Sequence, residues 1–208
     1  MKATLDAAVS AMDARSRLFP WTDRAAYAGW LAQTYYYVRH STRLLAAAAA
    51  RFPHGRAGDT LHHRFGAHIG EEKRHELLCV RDIQALGETL EGYPEHATTR
   101  MFYEPQYYKV EHQTPSVLLG YILPLEVIAP LSGTLVIEQL TQAFGPKCAN
   151  FLKVHAQEDV AHVDRALGLV EALPSQEREL IEQNMKQTAF AYVAMLDAIA
   201  PLTGRSAA

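Results

Sequence analysis

Cysteine is scarce in this sequence, and neither sign of charge predominates. Only Cys79 and Cys148 occur among the 208 residues. Two cysteines are too few for a disulfide-stabilised scaffold, and their scarcity favours a reducing compartment. The formal net charge is only −3, so the composition gives no electrostatic reason to expect a nucleic-acid partner or an anionic membrane surface.

The sequence also lacks an uninterrupted apolar run of membrane-spanning length. Its most apolar stretch, residues 121–140, is broken by Pro124, Glu126, Pro130 and Gly133. These interruptions favour a bent, buried helix over a transmembrane segment. The first residues mix acidic and basic side chains and contain no apolar core of a signal peptide. We therefore expect a cytoplasmic protein with no membrane partner.

Alternating runs of β-branched residues, which would predict strands, are missing as well. Helical patterns recur throughout and are punctuated by proline and glycine. They predict helices at about 4–18, 22–51, 59–86, 147–172 and 175–200, with a broken helical region at 100–144. The length fits one domain, so we predict a single all-α domain, residues 1–208, with six or seven helices.

Histidine is present in unusual number, with ten copies. His155, Asp159 and His162 follow one another at spacings of four and three residues. On a helix, these spacings place all three side chains on one face. A solvated helix face explains isolated acids and bases, but it gives no reason for two imidazoles to bracket a carboxylate.

Two further positions extend this pattern. Glu72 and His75 form an E-x-x-H pair, the spacing found in helical di-iron carboxylate proteins. Glu126 is a lone acid in an apolar segment, where an unpaired buried carboxylate is costly. Each feature alone has a simpler explanation, such as an ion pair between Glu126 and an arginine. Their joint occurrence favours a metal site, and three carboxylates with three imidazoles suit two iron or manganese ions.

A ferritin-like four-helix bundle fits this pattern poorly. That architecture takes one glutamate from each of two helices and an E-x-x-H pair from each of the others. In the predicted helix before the one that contains Glu72, residues 24–51 include no aspartate or glutamate. A different helical scaffold is therefore expected.

The combined pattern resembles the haem-oxygenase-like di-iron oxidase and oxygenase family. The resemblance rests on E-x-x-H at 72–75, on Glu126 after Gly120-Tyr121, and on H-x-x-x-D-x-x-H at 155–162. It spans roughly residues 27–165, including the tyrosine-rich segment 35–39. It implies a haem oxygenase-like bundle of about seven helices without haem, related to proteins of thiamin salvage and pyrroloquinoline-quinone biosynthesis.

The resemblance also implies a reaction and a set of ligands. The reaction is the O₂-dependent desaturation, C–C cleavage or N-oxygenation of a small fatty-acid or amino-acid-like substrate at two iron ions, with manganese as an alternative. The first carboxylate ligand stays open, because Glu71 is adjacent to Glu72, and His68 stands seven residues before His75, where some members have a carboxylate. The ligands carried over are Glu72, His75, Glu126, His155, Asp159 and His162.

Two other functions remain open at this point. One is a metal-independent hydrolase or ring-modifying enzyme on the same fold, and the other is a non-catalytic helical binding or regulatory protein. The related thiamin-salvage hydrolases use a cysteine nucleophile and have no need of H-x-x-x-D-x-x-H, which favours the oxidase. We expect O₂ and a small molecule as partners, no nucleic acid, and leave a homodimer open. We also expect the six ligand side chains to converge on one cavity, which several tyrosines, Tyr121 among them, could line.

Overall fold

The structure is a computed structural model that describes residues 1–156 and 160–200, with the main chain alone for residues 160–165. Within these residues every regular element is helical and no strand occurs. The prediction of an all-α protein is therefore confirmed. The α-helices are α1 Lys2–Arg17, α2 Arg24–Val38, α3 Ser41–Ala49, α4 Arg56–Glu71, α5 Glu76–Ala85, α6 Ala97–His112, α7 Leu119–Phe144, α8 Asn150–Ala156, α9 Val160–Glu171 and α10 Ser175–Ile199. Two short 3-10 helices lie at Leu90–Gly92 and Pro115–Leu118.

Helices that the sequence predicts as continuous are divided in the structure. The predicted helix 22–51 becomes α2 and α3, which are separated at residues 39–40. The predicted helix 59–86 becomes α4 and α5, separated by the link 72–75. In that link Arg74 has a φ of 71°, a left-handed conformation that interrupts helical hydrogen bonding. Glu72 and His75 therefore do not share one continuous helix, and that part of the prediction was wrong.

The helices pack around α10 and α7. α10 contacts α1, α6 and α7, while α2 packs on α5 and α3 on α4. α7 approaches α10 very closely at Gly120, where an added Cβ would lie 2.3 Å from the carbonyl oxygen of Ile181. Only glycine permits this approach without displacing main chain.

α7 carries the most apolar sequence of the chain. Together with the preceding 3-10 helix it spans Pro115–Phe144, which is long and apolar enough to cross a membrane by length and composition alone. The same helix packs against α1, α8 and α10, and the core helix of a soluble protein passes the same test. Pro124 and Pro130 both lie inside it, on either side of Glu126 in the sequence.

Candidate metal centre

Three potential metal ligands lie close together, two in the link between α4 and α5 and one near the end of α8. Glu72, His75 and His155 each bring one ligand atom to the same place, and these atoms all lie within 4.8 Å of one another. Glu72 and His75 come from the link between α4 and α5, and His155 comes from the last turn of α8. Three of the six side chains predicted as ligands therefore form one cluster.

Glu126 lies beside this cluster, and His68 connects the two. His68 Nε2 is 3.5 Å from Glu72 Oε1 and 3.4 Å from Glu126 Oε1. Arg64 Nη2 approaches the same Glu126 oxygen at 4.0 Å. The side chains of His68, Glu72 and Glu126 are only 8, 13 and 11% exposed, so these three groups are largely shielded from water.

The neighbouring groups set the protonation of the cluster. Burial by itself raises the pKa of Glu72, but the hydrogen bond with His68 and the nearby imidazoles outweigh it, and the pKa is lowered. Burial lowers the pKa of His155. For His68, burial also acts to lower the pKa, but the carboxylates of Glu72 and Glu126 raise it overall. At neutral pH Glu72 is thus ionised and His155 neutral, the forms in which these residues bind metals.

The orientation of His155 is fixed by its own helix. Its Nδ1 lies 2.8 Å from the carbonyl oxygen of Phe151. Because a carbonyl only accepts, Nδ1 carries the proton, which leaves the Nε2 lone pair available to a metal. Proteins usually orient a ligating histidine by a hydrogen bond from the ring nitrogen that does not bind the metal.

The cluster passes a simple test for metal binding at His75. Its Nδ1 is buried and has no hydrogen-bond partner among the residues that the structure describes. Oε2 of Glu72 is 3.9 Å from this nitrogen, which is too long for a hydrogen bond. A bound cation would satisfy this nitrogen, and a mixed set of imidazole and carboxylate donors suits iron or manganese.

A cavity of about 120 Å³ adjoins the cluster. Glu72, Glu126, His68 and His155 all contribute to its lining, and the remainder is mostly aliphatic and aromatic. Tyr121, one of the tyrosines that the sequence suggested for a pocket, lines it too. These candidate ligands therefore lie at the wall of a mainly apolar cavity.

The other predicted positions fall into two groups. Glu71 is 45% exposed and pairs with Arg64, 3.2 Å from Nη1 to Oε2, so it lies outside the cluster and Glu72 lies within it. Asp159 lies outside the described residues, and His162 lies in α9 at a position for which the main chain alone is described. Their role as ligands stays a prediction.

His68 is the site residue that the sequence left as an alternative. Its contact with Glu126 joins α4 to α7 across 58 positions of sequence, and no local pattern reports such a contact. The only signal in the sequence was its position seven residues before His75.

The two cysteines lie away from this chemistry. Both are buried as free thiols, and burial raises the pKa of each thiol. Neither is among the described residues that line the cavity. A buried thiol with a raised pKa is a poor nucleophile, so nothing in the described site favours the cysteine-dependent hydrolase.

Comparison with solved structures identifies the fold. A domain of unknown function with a haem oxygenase-like fold from Shewanella denitrificans is 18% identical and superposes with a TM-score of 0.80, covering 97% of this chain and 96% of that one. A TenA homologue from Pseudomonas syringae is 16% identical, with a TM-score of 0.78 and coverages of 95 and 91%. A TenA homologue from Pyrococcus furiosus is 15% identical, with a TM-score of 0.63 and 84% of each chain covered. At these identities the likeness shows the haem oxygenase-like fold alone.

Comparison with sequences identifies the family. No curated protein matches the chain significantly. The sequence model of a family described as iron-containing redox enzymes matches residues 28–194, which is most of the chain. The resemblance to haem-oxygenase-like proteins that the motifs predict is thereby confirmed, and the chain belongs to the iron-containing redox enzyme family with this fold.

Proposed function

We propose that the protein is an iron-dependent oxidase or oxygenase that uses O₂ to oxidise a small organic molecule held in the cavity. The observation that carries this proposal is the buried convergence of Glu72, His75 and His155 at the wall of an apolar cavity. The family description supports a redox reaction with iron, and the donor set supports a divalent transition metal.

We propose that two metal ions bind at adjacent positions. Glu72, His75 and His155 would hold one ion, and Glu126 would contribute to a second. We propose Asp159 and His162 as the remaining ligands, since their spacing from His155 fits the family pattern. Bound iron would supply the one-electron and O₂ chemistry that side chains alone do not provide.

The protein's own residues perform the remaining tasks. Phe151 holds the His155 ring in one tautomer and one direction. His68 stabilises the ionised form of Glu72 and bridges it to Glu126. The aliphatic and aromatic lining excludes water from the space beside the cluster, which would protect a reactive substrate from side reactions.

Anaerobic titration with Fe(II) tests this proposal. We expect saturation near two irons per chain by elemental analysis, followed by a transient absorption band in the visible region when the loaded protein meets air. Protein without iron is the control and should show no band. Failure to retain iron after removal of the free metal, or loaded protein that is inert toward O₂, would contradict the proposal.

A further inference from the structure

The helix α8 carries His155 in its last turn, and a buried acid of α5 holds its first turn. Asp82 has no exposed surface. Its Oδ1 accepts a hydrogen bond of 2.8 Å from Asn150 Nδ2, and its Oδ2 accepts one of 2.8 Å from the main-chain N–H of Phe151. The first N–H groups of a helix have no partner inside the helix, so Asp82 supplies an acceptor that α8 itself lacks.

Phe151 takes part both in this contact and in the orientation of His155. Its carbonyl oxygen accepts the hydrogen bond from His155 Nδ1 at 2.8 Å, and its ring centroid lies 4.1 Å from that of the imidazole. Asp82 thus binds the N–H of the residue whose carbonyl and ring both contact His155. A displacement of Phe151 would change both of these contacts.

α5 and the residue before it contact α8 at two places. His75 meets the His155 ring, with centroids 4.8 Å apart, and Asp82, seven residues later, meets the first turn of α8. Seven residues are about two helical turns, so His75 and Asp82 lie on one side of α5. α8 has only 7 residues, and helices this short are not stable alone in water. Tertiary contacts therefore determine the position and rotation of α8.

We propose that Asp82 is a positioning residue for the candidate metal ligand His155. It fixes the first turn of α8 and, through Phe151, the direction and the tautomer of the imidazole. That His155 binds a redox metal rests on the proposed function, whereas the control of its ring by Asp82 rests on these contacts alone.

Three variants change the contact between α5 and α8. Asp82→Ala removes both acceptor oxygens. Asp82→Asn replaces one of them with an NH₂ group that opposes the NH₂ group of Asn150, whose amide is oriented by a bond of 2.7 Å to the Lys147 carbonyl. Asp82→Asn combined with Asn150→Asp restores a donor and an acceptor to this pair. Thr99→Val is the matched control, because it removes a different buried hydrogen bond, of 2.7 Å to Gln33.

The first measurement is the imidazole nitrogen spectrum of the metal-free protein, labelled with ¹⁵N at histidine and kept in a chelator at mildly alkaline pH. Correlations between ring protons and ring nitrogens distinguish the Nδ1–H from the Nε2–H tautomer. The spectrum of His155→Ala assigns the signals of His155 among the ten histidines. We expect the Nδ1–H tautomer in wild type, in Thr99→Val and in the double variant. Asp82→Ala should show averaged nitrogen shifts from a mixture of tautomers, and Asp82→Asn a smaller change in the same direction.

The second measurement is the affinity for Fe(II) under anaerobic conditions. Loss of a residue that orients a metal ligand costs about 10- to 100-fold in affinity, so Asp82→Ala should bind Fe(II) about 10-fold or more weakly than wild type. The double variant should recover most of this loss, and Thr99→Val should bind as wild type does. All variants are compared below their own Tm.

An unchanged His155 tautomer in Asp82→Ala, or in Asp82→Asn if the alanine variant does not fold, would overturn the role of Asp82. Equal effects of Thr99→Val would also overturn it, because they would trace the change to lost stability instead of lost positioning. If wild type itself retains no iron, the proposed function fails, while the tautomer measurement still decides the role of Asp82.

Discussion

The imidazole rings of His75 and His155 meet edge to face, with their centroids 4.8 Å apart. One ring stands on the link before α5 and the other at the end of α8, so the contact joins two segments that are far apart in sequence. Two protonated imidazoles would repel each other at this separation. Burial lowers the pKa of His155, which keeps this ring neutral beside its neighbour with a lone pair available to a cation.

The first prediction separates two adjacent glutamates. Glu72→Ala should abolish or strongly reduce iron loading, by about 10-fold or more in affinity, because its carboxylate belongs to the cluster. Glu71→Ala is the matched control and should leave loading unchanged, since Glu71 is exposed and pairs with Arg64. Metal content after anaerobic loading measures both, and equal loss in the two variants would contradict the geometry.

Metal binding should also stabilise the fold. A ligand that binds only the native state at 100 times its Kd adds about 2.7 kcal/mol, so Fe(II) or Mn(II) should raise the Tm by several degrees. His155→Ala should remove most of this shift and leave the Tm of the metal-free protein nearly unchanged or higher, because it removes one buried imidazole from a crowded cluster. A metal-induced shift that survives in His155→Ala would show that the ion binds elsewhere.

The link between α4 and α5 gives a prediction for stability. Arg74 is exposed and holds a left-handed φ of 71°, which costs a non-glycine residue about 1–2 kcal/mol. Arg74→Gly should therefore stabilise the protein by about 0.5–1 kcal/mol after the larger unfolded-state entropy of glycine is allowed for. Arg74→Val, which disfavours this conformation further, should destabilise it. Urea unfolding compares the two, and a stabilising valine would refute the argument.

Gly120 and Gly168 provide a matched pair of glycine-to-alanine substitutions. Gly120→Ala should destabilise the protein by about 3 kcal/mol or more, because the new methyl group would meet main chain of α10. At Gly168, which lies in α9, an added Cβ would have nothing within 4 Å. Gly168→Ala should therefore stabilise the protein by about 0.5–1 kcal/mol through helix propensity. Thermal unfolding of both variants, read by circular dichroism, provides the measurement. A neutral Gly120→Ala would show that α7 and α10 can separate at no cost.

The environment of Lys109 should make the folded protein more stable at alkaline pH. Burial lowers the pKa of Lys109 from 10.5 to about 8, and its ammonium group donates to Asn184 Oδ1. Between these two values the unfolded chain binds more protons than the folded one, so stability rises with pH from about 8 to about 10.5. Because the Lys109 side chain is partly exposed, we expect the free energy of unfolding to rise by about 1 kcal/mol over this pH range.

The matched variant for this effect is Lys109→Met, which keeps the length and removes the charge. Asn184 Oδ1 would still accept a hydrogen bond from Gln106. The difference in unfolding free energy between wild type and variant should change in favour of wild type as the pH rises from 8 to 10. A difference that is constant with pH would show that Lys109 is adequately solvated in the folded protein.

Much of the fold was predictable, because the evidence for it is local. Proline and glycine punctuation, the alanine-rich segment near residue 48 and the lack of alternating apolar residues all indicate helices. The division at residues 72–75 was not predictable, since Arg74 carries none of the glycine signal that usually marks a left-handed residue. Propensity alone favours arginine within a helix, and the tertiary arrangement overrides it here.

The site was predictable in its chemistry and less so in its geometry. Spacing identified Glu72, His75 and His155, and the apolar sequence around Glu126 identified that acid, because a buried carboxylate needs a neutralising partner. The contact of His68 with both glutamates depends on how α4 meets α7, and no spacing within one helix contains that information.

The link between α4 and α5 has a consequence for how this family can diverge. On a continuous helix, one inserted residue would turn every later side chain by about 100° and misplace a whole buried face. On a non-helical link, the same insertion is absorbed locally, and α5 keeps its packing against α2. The spacing between Glu72 and His75 is therefore constrained less by the packing of the core than by the cluster that these two side chains form with His155.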